Sequence, residues 1–216
     1  MTKLYVADIK HLPDPLSCTE LLQKLSAERQ QRIHHLKQEK SRKQCMGAGL
    51  LLQKVLALYH MEESLVRIGQ DGKPMLKGLE FNLSHSGDLI ICAVSEKPVG
   101  CDVEMIRKAP RSVARRYFSH GELQYLVQCK EDDYDKAFFT LWTMKESYVK
   151  MTGEGLRLPT SEYELVLEGA RDGLVRVIRN GEMQACYISE VSVSGYVISI
   201  CAQDAGPVEM VREVLW

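Results

Sequence analysis

Apolar residues along the chain recur at two spacings, and each switch between them marks a new element. Residues 3–9 ("KLYVADI") alternate like a half-buried strand. From 16 to about 36 the spacing is helical, with a change of direction near Ser26. Residues 40–60 form a stronger helix whose apolar side runs through Met46, Leu50, Val55 and Leu58. Gly47 and Gly49 inside it each cost about 1 kcal/mol relative to Ala, which implies a close approach by a neighbouring element. "IGQDGKP" (68–74) is a turn, and 81–83 and 89–95 read as strands around a hairpin-like "SHSGD" loop. A strand over 99–106 follows, then helices over 112–117, 119–129 and 135–151. Residues 162–203 hold four short strand-like runs with turns at "EGARDG", "RNGE" and "SVSGY". "LIICAVS" (89–95) and "VISICAQ" (197–203) echo one another, aligned on Cys92 and Cys201. The mixture of strands and helices is that of an α+β chain, and Pro98 marks a joint between its two halves, 1–98 and 99–216.

Composition narrows the classes. With 45% apolar and 26% charged residues in 216, the chain can bury a proper core. No apolar run approaches the roughly 18 residues of a membrane span, and "MTKLYVADIK" has no signal-peptide core. Seven cysteines with no Cys-x-x-Cys pair argue against a disulfide framework or a zinc site and for a reducing, cytoplasmic setting. The net charge of −1 offers no broad cationic face for nucleic acid. Residues 29–43 ("RQQRIHHLKQEKSRK") nevertheless carry six Lys/Arg and two His against one acid, Glu39. Such a stretch suits a phosphate-sized partner or a solvated helix face.

Three segments could carry chemistry. In "PVGCDVEMIRK" strand alternation puts Val99, Cys101 and Val103 on one side and Asp102 and Glu104 on the other. Paired carboxylates repel unless a cation lies between them, and a hard divalent ion such as Mg2+ suits oxygen ligands and phosphates. In the 135–151 helix, Phe138, Leu141, Trp142, Tyr148 and Val149 share an arc, with Lys145 in its middle and Glu146 and Lys150 along its edge. A buried, unpaired lysine costs several kcal/mol, so Lys145 must snorkel out or meet an anion. "FNLSHSGD" can offer Ser84, His85 and backbone N–H groups to a phosphate, and the absence of a G-x-S-x-G elbow excludes a hydrolase nucleophile of that type. "DGKP" (71–74) is by itself a turn in which only Lys73 could serve an anion.

Taken in order, "GKP" (72–74), "FNLSHSGD" (81–88), "VGCDVE" (99–104) and "FTLWTMKESYVKMTGEGL" (139–156) resemble the motifs of the 4′-phosphopantetheinyl transferases. They are most similar to the larger single-chain type that activates peptide and polyketide synthetases, whose prototype serves surfactin synthetase. The resemblance implies a fold of two pseudo-symmetric halves, each an antiparallel sheet packed on a long helix, with the site in the cleft between them and a monomeric chain. It implies Mg-dependent transfer of the phosphopantetheine arm of coenzyme A to a serine of an acyl or peptidyl carrier protein, with adenosine 3′,5′-bisphosphate released. Asp102, Glu104 and Glu146 would hold Mg2+, with Mn2+ as a substitute. Lys150 and Lys145 would contact the phosphates, and Glu146 or a metal-bound water would take the serine proton. Ser84 and His85 would bind a coenzyme A phosphate, and Gly72, Lys73 and Pro74 would frame the adenine. Arg29, Arg32 and Lys43 would meet the 3′-phosphate, with Arg42 the alternative to Lys43. Arg107, Lys108, Arg111, Arg115 and Arg116 offer a basic patch for an acidic carrier. A catalytically inactive coenzyme A or carrier binder, and a Mg-dependent nucleotide hydrolase, are the alternatives.

Overall fold

The computed structural model describes residues 1–69, 72–167, 174–203 and 206–215. The "EGARDG" turn (168–173) and Gln70–Asp71 of "IGQDGKP" lie outside them. In chain order the elements are β1 (Thr2–Asp8), α1 (Thr19–Gln23), α2 (Ala27–His35), α3 (Glu39–Leu58), β2 (Arg67–Ile68) and β3 (Pro74–Met75). They continue as β4 (Glu80–Ser86), β5 (Leu89–Ser95), β6 (Val99–Met105), α4 (Arg111–Tyr117), α5 (His120–Gln128) and α6 (Glu131–Thr152). The last are β7 (Tyr163–Val166), β8 (Leu174–Arg179), β9 (Glu182–Met183), β10 (Tyr187–Val193), β11 (Tyr196–Ala202) and β12 (Val208–Glu213).

Two sheets form four layers with the two long helices. One sheet runs β12-β1-β5-β4 and is covered by α3; the other runs β6-β11-β10-β8-β7, with β9 on β8, and is covered by α6. The period-2 pattern explains the layering. In β5, Ile90, Cys92 and Val94 pack under α3, whereas Leu89, Ile91 and Ala93 meet β6 and β11 in a core between the sheets. β11 repeats this: Cys201 faces the α6 side, and Ile198, Ile200 and Ala202 face the central core. The Ile-Cys-Ala echo is therefore a shared assignment of faces in the two halves.

Several elements differ from expectation for identifiable reasons. α6 starts at Glu131, where Glu131, Asp132 and Asp133 place negative charge at the helix N-terminus, and it ends at Gly153, whose φ of 74° supplies the left-handed cap. β4 runs through Ser84 and His85 to Ser86, so the hairpin turn is only Gly87–Asp88. Side-chain oxygens hold the strand in place: Asn82 Oδ1, Ser84 Oγ and Ser86 Oγ accept the backbone N–H groups of Cys101, Val103 and Met105 at 2.9, 3.4 and 3.1 Å. Every second residue of one edge strand thus satisfies every second amide of the other, and the two sheets are stitched side chain to backbone. Residues 208–213, expected with the second half, pair in parallel with β1 and so belong to the first sheet. The two glycines of α3 are explained by contact. A Cβ on Gly47 would meet Ile9 at 2.7 Å, and one on Gly49 would run into Arg29 and Leu25. All seven cysteines are free thiols, and Cys101, buried in the core between the sheets, has its pKa pushed up to about 12 by burial.

Candidate active site

The site begins with a glycine. A Cβ on Gly100 would collide with the Ser147 carbonyl oxygen and the Met151 amide nitrogen, so α6 lies directly on β6 only because residue 100 has no side chain. That approach sets Lys150, one turn beyond Glu146, over Asp102, two residues beyond Gly100. Lys150 Nζ donates to Asp102 Oδ1 at 2.6 Å and to Ser84 Oγ at 3.0 Å, while Ser84 Oγ donates to Asp102 Oδ1 at 2.8 Å. Glu104 Oε2 accepts from Ser86 Oγ at 2.8 Å and from Arg107 at 2.9 Å. Among the described residues Glu146 makes no hydrogen bond or ion pair, although it is only half-exposed.

The electrostatics follow from crowding. Burial raises the pKa of Asp102, and the charge of Lys150 only partly offsets it. Burial, with the neighbouring charges of Asp102 and Glu104, also raises Glu146. For Lys150 burial pulls the pKa down, but Asp102 together with Cys101 and Glu146 outweighs it and the net shift is upward. One oxygen, Asp102 Oδ2, is buried with no hydrogen-bond partner. An orphan carboxylate oxygen next to an unpaired carboxylate is a donor set suited to a hard cation. Among the described residues no group of three acids, histidines or cysteines forms a ready-made cage; Lys150 and Arg107 now occupy Asp102 Oδ1 and Glu104 Oε2.

A cleft of about 840 Å3 opens beside these groups, lined by Gly72, Lys73 and Pro74 from one half and by Glu146, Lys150, Trp142, Tyr117, Leu158 and others from the second. The expected i, i+4, i+8 ridge of Trp142, Glu146 and Lys150 is thus one wall. Four residues expected to contact coenzyme A are engaged with the protein itself. Lys145, 3% exposed, meets its anion inside the protein: Nζ donates to both carboxylate oxygens of Glu122 at 3.1 Å and lies 4.2 Å from the Tyr163 ring centroid. Burial drags its pKa down while Glu122 holds it up. Ser84 is buried beneath the site in the Asp102–Lys150 network. Lys73 Nζ donates to the carbonyls of Val99 and Met151 at 3.2 Å, fastening the β3 loop to the start of β6 and the end of α6, and burial lowers its pKa. Arg29 pairs with Glu63 at 3.1 Å and donates to the Cys45 carbonyl.

The remaining cations are freer. His85 points to the opposite side of β4 from Ser84, exposed, with its pKa lowered by the surrounding protein and by the charges of Lys150 and Arg32. Arg32 is exposed on α2. Arg42 is committed to Asp14 at 2.6 Å and to the carbonyls of Leu36 and Lys37, whereas Lys43 is held only by an i, i+4 pair with Glu39. Of the five cations in the proposed carrier patch, Arg107, Lys108 and Arg111 pair with Glu104, Asp135 and Glu131, while Arg115 and Arg116 stay exposed. Sequence reasoning missed Glu122 as a partner and Gly100 as the contact point. The capping-box spacing Ser119-x-x-Glu122 signalled only the first of Glu122's roles.

A family model described as the 4′-phosphopantetheinyl transferase superfamily matches residues 98–201. The chain is 32% identical to the 4′-phosphopantetheinyl transferase Sfp of Bacillus subtilis (strain 168), over 81% of this chain and 79% of the relative. It is 31% identical to the 4′-phosphopantetheinyl transferase ffp of Bacillus subtilis, over 89% of each. A crystal structure of Thermotoga maritima holo-[acyl-carrier-protein] synthase aligns with 48% of this chain and 61% of its own, at 17% identity and a TM-score of 0.40.

Proposed function

The chain belongs to the 4′-phosphopantetheinyl transferase superfamily, and on that premise we propose that it moves the phosphopantetheine arm of coenzyme A onto a serine of an acyl or peptidyl carrier protein, leaving adenosine 3′,5′-bisphosphate. The observation that carries the reading at this site is the buried, unpartnered Asp102 Oδ2 beside the unpaired Glu146 and the ammonium of Lys150. Asp102, Glu104 and Glu146 would hold Mg2+, or Mn2+ in its place. When bound, that ion neutralises and orients the diphosphate.

The chain's own residues do the rest. Phosphoryl transfer asks mainly for positioning and for positive charge near the oxygens that become negative. Lys150, with its pKa raised, stays protonated at neutral pH and can shift from Asp102 Oδ1 toward the leaving phosphate. Glu146 has two oxygens uncommitted among the described residues, so one can face the proton of the incoming serine while the other would help hold the cation. The apolar wall of Tyr117, Trp142, Val149 and Leu158 keeps water from competing with the serine. Arg32 and Lys43 are the cations left to meet the 3′-phosphate, with His85 able to donate an imidazole N–H to it, and Gly72 with Pro74 would border the adenine. Incubation with coenzyme A, Mg2+ and an apo-carrier, followed by mass spectrometry of the carrier, tests the reading. A carrier heavier by one phosphopantetheine is expected. Coenzyme A consumed with no gain by any of a panel of carriers would identify a hydrolase instead.

A further inference from the structure

Lys145 and Glu122 form a fully hydrogen-bonded buried ion pair, and no step above uses them. Glu122 is fully buried and accepts four hydrogen bonds: two from Lys145 Nζ, one from Ser119 N at 2.8 Å and one from Leu165 N at 3.0 Å. Lys145 adds a third donation, to the Tyr163 carbonyl at 3.4 Å, and its charge lies over the Tyr163 ring. The pair therefore ties the N-terminus of α5 and the start of β7 to one residue in the middle of α6, and that residue is the immediate neighbour of Glu146.

Successive side chains on a helix point about 100° apart. Fixing Lys145 toward α5 and β7 thereby fixes Glu146 toward β6 and the cleft. Other polar holds on the roll of α6 along this stretch are the Thr143–Ser199 hydroxyl pair at 2.8 Å, Lys150 with Asp102 and Ser84, and Lys73 on the Met151 carbonyl. At an outer helix radius of about 5–6 Å, a roll of about 10° carries a carboxylate about 1 Å, and misplacement of that size can cost about 100-fold in rate. We propose that Lys145 and Glu122 act as one positioning unit that sets the roll of α6 and so aims Glu146, and that Lys145 is not a phosphate ligand. The proposal rests on the transferase reading and is tested on a carrier that the wild-type chain modifies, so that failure of wild type on every carrier counts against that reading and the behaviour of the variants against this one.

A double-mutant cycle with Lys145→Met, Glu122→Gln and Glu122→Gln/Lys145→Met tests it, with kcat for carrier modification and coenzyme A affinity by calorimetry as separate readouts. A positioning unit lowers kcat about 10- to 100-fold in each single variant, keeps coenzyme A affinity within about two-fold, and makes the double variant no worse than the poorer single one. A ten-fold loss of coenzyme A affinity in Lys145→Met with Glu122→Gln unchanged would make Lys145 a phosphate ligand and overturn the proposal. Multiplying losses, or unchanged kcat in folded variants, would overturn it equally. Should a single variant fail to fold, the double variant, which leaves no charge unpaired, decides alone: lowered kcat with normal coenzyme A affinity supports the unit, and either normal kcat or weakened affinity refutes it.

Discussion

The two long helices occupy equivalent places, each covering a sheet, yet they are built from opposite materials. The buried residues of α3 are all apolar or glycine, from Cys45 through Leu56. Those of α6 include Thr140, Thr143, Lys145 and Ser147 among the aromatics. α3 contributes hydrophobic burial. α6 carries a row of polar groups, each of which needs a specific partner: Ser199 for Thr143, Glu122 for Lys145, Asp102 for Lys150. Low dielectric makes such partnerships strong when complete and costly when broken. One half is thus a scaffold and the other an instrument mounted on the same frame.

Substitutions can break that contrast. The largest expected effect is from Glu146→Ala or Asp102→Ala, which should lower carrier modification by at least about 100- to 1,000-fold, read by mass spectrometry, while the melting transition stays cooperative. Leu51→Ala in α3, a fully buried position, should do the reverse: about 3 kcal/mol of stability is lost, with kcat per folded molecule unchanged. Equal damage to kcat from both would erase the distinction. Gly100→Ala should cost about 3 kcal/mol or more, because its methyl meets the α6 backbone, whereas Gly47→Ala meets the side chains of Ile9 and Ile90 rather than backbone and should cost about 1–2 kcal/mol. Urea midpoints of the two variants give the ranking.

Smaller effects sharpen the picture further. Thr143→Val leaves the buried Ser199 hydroxyl without its partner and should cost about 1–2 kcal/mol. The smallest effect is pH-dependent. The Arg42 guanidinium holds Asp14 below its ordinary carboxyl pKa of 3.8. The folded value lies below the unfolded one, so the contribution is complete above 3.8 and fades as pH falls through the folded value. Asp14→Asn should therefore be less stable than wild type at pH 6, with the gap closing toward pH 3, as chemical denaturation at the two pH values will register.

Much of this was legible in the chain. Alternation in "VGCDVE" put Asp102 and Glu104 opposite Cys101 because strand geometry is local, and the long helices followed from their 3.6-residue stripes. The fate of Lys145 was half legible. Helical spacing showed that it pointed inward and needed an anion, but its partner lies 23 residues away on another helix. Ser84 and His85, adjacent in sequence, looked like one phosphate-binding pair, and strand alternation sends them to opposite sides.

By itself the sequence determined the elements, their buried faces and the residue types able to hold phosphates, since those depend on neighbours within a turn or two. Tertiary structure alone decided which charges remain free. Arg29, Lys73 and Lys145 are neutralised or bound to backbone by groups distant in the chain, and Glu146 has no partner among the described residues. Whether a charge is available depends on what the fold places within about 4 Å of it, and no local pattern records that distance.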